Sequence, residues 1–152
     1  MKAKDDVEHL ERAIEISRRC PPSREAFSVG AVILDREGRE IATGYSRETG
    51  EKEHAEEVAI TKARRAGAET VGGTIYTSLE PCGRRLSKPK TCAEHVVEAG
   101  IRRVVYALGE PSVFVEATGA DKLREAGVEV VVVGELAPLV EAVNRHLLDD
   151  SK

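Results

Sequence analysis

Residues 73–82 read Gly-Thr-Ile-Tyr-Thr-Ser-Leu-Glu-Pro-Cys. The part from Gly73 to Ser78 is rich in β-branched and aromatic side chains and reads as a strand. It runs straight into Leu79-Glu80-Pro81-Cys82, so Cys82 arrives at the strand's C-terminal edge, where ligands gather in open α/β sheets. Downstream, a helix starts near Thr91 or Cys92 and ends at Gly100, and a strand over Arg103–Ala107 follows at once. Upstream, Glu53 to Ala66 has a helical pattern ended by Gly67. Strands and helices that alternate in this way call for a sheet with helices on both faces.

The flanks extend the pattern. Val7, Leu10, Ala13, Ile14 and Ser17 predict a helix from about Asp5 to Arg19, closed by Cys20-Pro21-Pro22. Residues 27–35 (FSVGAVILD) and 39–45 (REIATGY) read as a hairpin around Arg36-Glu37-Gly38. Toward the C-terminus come a short helix over Gly119–Ala126, an apolar strand over Val128–Val133 and a last helix over Leu136–Leu148. Some twenty residues containing a helix join the fourth and fifth strands, enough for a parallel crossover and too many for a tight hairpin. The expected fold is therefore α/β in three layers: a five-stranded mixed sheet, helices on both faces, the fifth strand parallel to the fourth. No repeat, low-complexity tract or linker interrupts the chain, so residues 1–152 read as one domain.

Charge and composition narrow the function. The chain carries 23 basic and 27 acidic residues, net −4, so nucleic acid falls behind a small-molecule partner. No apolar run approaches the ~20 residues needed to span a bilayer. The opening MKAKDDVEHLERAI lacks the apolar core and cleavage site of a secretory signal. Cys20, Cys82 and Cys92 are too few, and odd in number, for a disulfide framework, which predicts reduced thiols in the cytoplasm. The absence of Gln and Trp, with a single Met and a single Asn, fits a heat-adapted or a consensus-like sequence.

The residues that carry chemistry are His54-Ala55-Glu56, Glu80-Pro81-Cys82 and Cys92. One imidazole and two thiolates suit a tetrahedral zinc, and three protein ligands leave the fourth position for water. Such an ion lowers the pKa of water towards ~7, and a neighbouring carboxylate, Glu56, is placed to shuttle the proton. Cys92 sits at a helix start, where backbone amides and the nearby Arg84, Arg85, Lys88 and Lys90 favour a thiolate. Taken singly, each residue has a bland reading: a helix-start histidine is a cap, and a lone cysteine is a small core hydrophobe. That bland reading is kept for Cys20, while His9, His95 and His146 read as helix-surface or partly buried residues. The joint pattern outweighs it for His54, Cys82 and Cys92.

These motifs resemble the zinc-dependent cytidine/deoxycytidylate deaminase-like superfamily, whose pattern is H-x-E followed by P-C-x-x-C. FSVGAVIL matches its first core strand, HAEEVAI its first site helix and YTSLEPC its ligand-bearing strand. TCAEHVVEAGIRRVVYAL resembles the second site helix and the next strand, and the likeness runs from the first helix to about Leu148. It implies one Zn2+ per chain on His54, Cys82 and Cys92, with Glu56 as proton shuttle. It also implies hydrolytic loss of an amino group from a pyrimidine-type nucleobase, nucleoside or nucleotide. On a regular helix His54 would share its side with Glu57. The family pattern chooses Glu56, which requires His54 in the first helical turn and leaves Glu57 a solvated or capping residue.

Subfamily signals conflict. Nine residues, GRRLSKPKT, separate the two cysteines, a long basic spacer similar to that of the riboflavin-biosynthesis pyrimidine deaminase. Phe27-Ser28-Val29-Gly30-Ala31 instead resembles the F-x-V-G-A of free cytidine deaminases, without the Asn-Pro pair of the riboflavin enzymes. The parallel fifth strand resembles the branch with deoxycytidylate, riboflavin-pathway, guanine and tRNA adenosine deaminases. The spacer is either a solvated loop or a phosphate site built from Arg84, Arg85, Lys88 or Lys90. In the family's layout Phe27, Ser28, Tyr45 and Ser46 stand at strand ends near the substrate, and Phe114 is a further wall candidate. Two alternatives stand beside a small-substrate enzyme: a tRNA-, ssDNA-, guanine- or adenine-directed deaminase, and a non-catalytic zinc-stabilised interaction domain. The presence of Glu56 argues against the second. The resemblance also implies a homodimer or higher homo-oligomer.

Overall fold

The computed structural model describes residues 2–21, 23, 27–50, 52–83, 90–109 and 119–145. Helix α1 (Lys2–Ser17) is followed by strands β1 (Gly30–Leu34) and β2 (Glu40–Tyr45), helix α2 (Ala55–Arg65) and strand β3 (Thr74–Leu79). Helix α3 (Cys92–Glu98), strand β4 (Arg103–Leu108), helix α4 (Gly119–Glu125) and strand β5 (Glu129–Val132) come next. A 3₁₀ turn at Gly134–Leu136 leads into helix α5 (Ala137–Val143). The sheet order is β2-β1-β3-β4-β5. β1 is antiparallel to β2 and β3, whereas β3–β4 and β4–β5 are parallel. This is the expected three-layer mixed sheet, with the fifth strand parallel to the fourth.

Strand alternation sorts the core into two layers. Ala31, Ile33, Ile75 and Val104 face α2, α3 and α4, whose Ala59, Ile60, Val96 and Leu123 complete one cluster. Val32, Leu34, Tyr76 and Val105 face α1 and α5, which contribute Leu10, Ala13, Ile14, Ile16 and Val140. The hairpin turns where expected: the Asp35 carboxylate accepts from the N–H groups of Glu37 and Arg39, both at 2.9 Å. At Gly44 the sheet meets α2 so closely that a Cβ would lie 2.6 Å from the Ala55 carbonyl oxygen. Only glycine permits that approach, which seats the start of α2 on the sheet.

Four readings change. β1 begins at Gly30 rather than at Phe27. Phe27–Val29 are extended but tied down from elsewhere: Ser28 N–H donates to Asn144 Oδ1 at 2.6 Å, and Val29 N–H to Ser46 Oγ at 2.9 Å. The apolar strand over Val128–Val133 is shorter and not wholly apolar: β5 opens on Glu129 and, among the described residues, forms the sheet edge, which leaves Val132 50% exposed. Cys20 is half-buried, its Sγ 3.5 Å from the Val29 carbonyl oxygen, and so is not a core hydrophobe. The last helix is shorter than the sequence pattern, with Asn144 as its C-cap, and the stretch from His146 onward lies outside the described residues.

Candidate active site

Two helices begin beside the C-terminal end of β3. His54 is the N-cap of α2, with extended backbone (φ −91°, ψ 155°), and its N–H donates to Glu57 Oε1 at 2.8 Å. Thr91 caps α3 in a capping box: its hydroxyl accepts from Glu94 N–H at 3.2 Å, and Glu94 Oε1 accepts from Thr91 N–H at 2.9 Å. Cys92 is therefore the first residue of α3. Its N–H donates to Cys82 Sγ at 3.2 Å, and Ala93 N–H donates to the Cys82 carbonyl at 3.2 Å.

These starts bring His54, Cys82 and Cys92 together, with one donor atom of each within 4.8 Å of the others. His54 Nδ1 lies 3.2 Å from Cys92 Sγ and 3.7 Å from Cys82 Sγ. Zinc held tetrahedrally by nitrogen and sulfur sets such donors about 3.5 Å apart, so the separations fit the ion. Hydrogen bonding to the Cys92 side chain, then to His54 and the Cys92 N–H, pulls the Cys82 thiol down to about 4 despite burial. A thiolate is the form that binds metal. Among the described residues no other His, Cys, Asp and Glu side chains gather in this way.

The two carboxylates after His54 have different surroundings. Glu56 is 4% exposed, and the Thr77 hydroxyl donates to its Oε2 at 3.1 Å. Burial, the largest influence, raises its carboxyl above the ordinary range. Glu57 is not solvated. It is buried, accepts from the His54 N–H and reaches His95 Nε2 at 3.6 Å. The capping half of its expected role holds, and His95 is partly buried as expected. Thr77 was missed, yet β3 alternation puts it on the same face as Ile75, under α2, where a buried hydroxyl needs a partner.

The other predicted residues are scattered. Phe27 packs against the cluster beneath α2–α4, on the face that carries His54. Tyr45 packs on the opposite face, under α1, because β2 alternates and Tyr45 pairs with Gly30. Ser28 and Ser46 are buried: the Ser28 backbone is bonded by the Asn144 side chain, and the Ser46 hydroxyl accepts from Val29 N–H, which ties the segment before β1 to the end of β2. Lys90 Nζ is paired with Glu98 Oε1 at 2.6 Å on the surface of α3. Arg84, Arg85, Lys88 and Phe114 lie outside the described residues. Sequence reasoning also missed Asn144, though a single Asn in the whole chain, fully buried, was a compositional signal.

Residues 3–108 match the family described as the cytidine and deoxycytidylate deaminase zinc-binding region. The chain belongs to that family. It is 38% identical over 133 residues to the diaminohydroxyphosphoribosylamino-pyrimidine deaminase of Schizosaccharomyces pombe, covering 86% of this chain and 33% of that protein. A solved diaminohydroxyphosphoribosylaminopyrimidine deaminase/5-amino-6-(5-phosphoribosylamino)uracil reductase from Thermotoga maritima superposes with a TM-score of 0.79 at 32% identity. That alignment covers 94% of this chain and 40% of the other. RibD of Acinetobacter baumannii gives a TM-score of 0.82 at 33% identity, over 96% of this chain and 39% of that one. The chain spans about a third of the length of the curated relatives it matches. No described helix is long and apolar enough to cross a membrane.

Proposed function

We propose that residues 1–152 form a zinc-dependent deaminase domain that hydrolyses an exocyclic amino group from a phosphoribosylamino-substituted pyrimidine. The observation that carries the proposal is the His54–Cys82–Cys92 donor set beside a buried Glu56. The substrate class rests on the activities of the relatives. When bound, zinc supplies Lewis acidity that makes water acidic enough to attack near neutral pH. Water adds to the amine-bearing ring carbon, the C–N bond breaks, and ammonia leaves a ring carbonyl behind. Glu56 takes one proton from the attacking water and hands it to the ring nitrogen, then carries the second, from the hydroxyl now on the ring carbon, to the departing amine, which leaves as ammonia. A carboxyl raised by burial suits a group that must both accept and release a proton. Thr77 holds one of its oxygens, which fixes the direction of the other. A purely structural zinc site gains nothing from a buried carboxylate and would bear its desolvation cost. That supports an enzyme over a zinc-stabilised interaction domain.

The phosphate would be met by the basic spacer. Arg84, Arg85 and Lys88 are the candidates by sequence, because Lys90 is engaged by Glu98. Ammonia release from the zinc-loaded protein should be fastest with a phosphoribosylamino diaminopyrimidine, ahead of dCMP, cytidine and guanine. Replacing Arg84, Arg85 and Lys88 by Ala should raise KM for the phosphorylated substrate by at least about tenfold and leave its dephosphorylated form unchanged, each lost charged contact being worth ~1.5–3 kcal/mol. Preferred turnover of dCMP or cytidine would move the chain to the other named branch of its family.

A further inference from the structure

Two of the three donors are placed by helix starts. Cys82 is not: it lies in the turn Glu80-Pro81-Cys82-Gly83 that leaves β3, outside any helix or strand. A side chain there is only as well placed as the neighbours that hold the turn. From one side α3 holds it, through the N–H groups of Cys92 and Ala93. From the other side stands α4, which plays no part in the donor set.

α4 grips the turn at three points. Glu80 is 5% exposed, and its Oε2 accepts from Ala120 N–H at 2.8 Å. A Cβ on Gly119 would lie 1.6 Å from the Pro81 carbonyl oxygen, so the helix meets the turn with bare backbone. Lys122 Nζ donates to the Gly83 carbonyl. The contacts fall before, at and after Pro81-Cys82, which restrains the turn along its length.

We propose that α4 is a clamp on the Cys82 turn, with Glu80 the positioning residue that ties the two together and keeps Cys82 Sγ where it can bind zinc. The inference rests on the zinc reading above. Groups outside the donor set that orient a metal ligand typically change metal affinity about 10–100-fold when removed. The clamp should therefore show in zinc retention, beyond any loss of fold stability.

The test is competition for Zn2+ between the 152-residue chain and a chromophoric chelator, together with the thiolate-to-metal band of the Co2+-loaded protein. Gly119→Ala and Glu80→Leu are expected to bind Zn2+ about 10–100-fold more weakly and to shift the Co2+ band. Glu80→Gln retains a carbonyl oxygen for the Ala120 N–H and should stay within a few-fold of wild type. Val140→Ala, a core truncation on the opposite face, should lower Tm without changing either metal readout. If Gly119→Ala or Glu80→Leu does not fold, Lys122→Ala decides, with several-fold weaker binding expected. Wild-type affinity and an unshifted band in the folded clamp variants would overturn the clamp alone. A wild-type chain that binds no Zn2+ would overturn the zinc reading itself.

Discussion

Glu56 and Glu57 follow one another in the first turn of α2, both buried, and their carboxylates have separate partners. Glu56 meets the Thr77 hydroxyl, and Glu57 meets the His54 N–H and His95. Glu56→Gln should retain zinc and the fold while slowing turnover by about 10²–10⁴-fold, read as kcat in single-substrate kinetics. Glu57→Ala should not be silent, as a solvated residue would be. It removes the acceptor for the N–H of a metal donor, so a stability loss of about 1 kcal/mol is expected in urea unfolding. Zinc binding should weaken several-fold with it. The H-x-E spacing pointed to Glu56 through the family pattern, whereas helix geometry alone favoured Glu57. Only the N-cap position of His54, off the regular helix, removes that conflict.

At the scale of elements, the site depends on where α2 and α3 begin. The Thr91 capping box makes Cys92 the first residue of α3 and directs its N–H at Cys82 Sγ. Thr91→Ala should cost about 1 kcal/mol in chemical denaturation, and Thr91→Ser should recover most of it. A loss of stability with no weakening of zinc retention would separate the cap from the site. Most of this architecture was legible in advance: helix starts near His54 and Cys92, the strand leading to Cys82, and the parallel crossover to β5. The edge position of β5 was not, because an apolar run looks the same whether one face or both are covered. The stretch before β1 has the sequence pattern of a strand but is not one, because its hydrogen bonds go to Asn144 and Ser46 rather than along a ladder.

At the scale of the whole molecule, a partly buried ion pair joins α1 to the sheet on the side away from the donor set. Arg103 donates to both oxygens of Asp6, at 2.8 and 2.6 Å, and the Tyr76 hydroxyl donates to Oδ1 at 2.8 Å. Arg103 hydrogen bonding is the largest influence on Asp6 and holds its carboxyl below the usual value of 3.8. Because the folded pKa is depressed, the pair's stabilisation is present above that value and is lost as pH falls through the folded pKa. Asp6→Asn should destabilise the protein by about 1–3 kcal/mol at pH 7, since it leaves the partly buried Arg103 with a neutral partner. The gap from wild type should close as thermal unfolding is followed from pH 5 downward. A gap that is constant with pH would mean that the cost is packing rather than charge.

By itself the sequence determined the donors, the order of the elements and the direction of the last strand. Each of those is written in local periods, in helix-start residues or in the length of a single connection. Tertiary structure decided which carboxylate caps α2 and which meets the Thr77 hydroxyl, and which face Tyr45 occupies. It also decided that Asn144 secures Ser28 across 116 residues of chain and that α4 closes on the Cys82 turn. Contacts of that kind leave no periodic trace, because they exist only once two distant surfaces have been pressed together by the packing of the sheet between them.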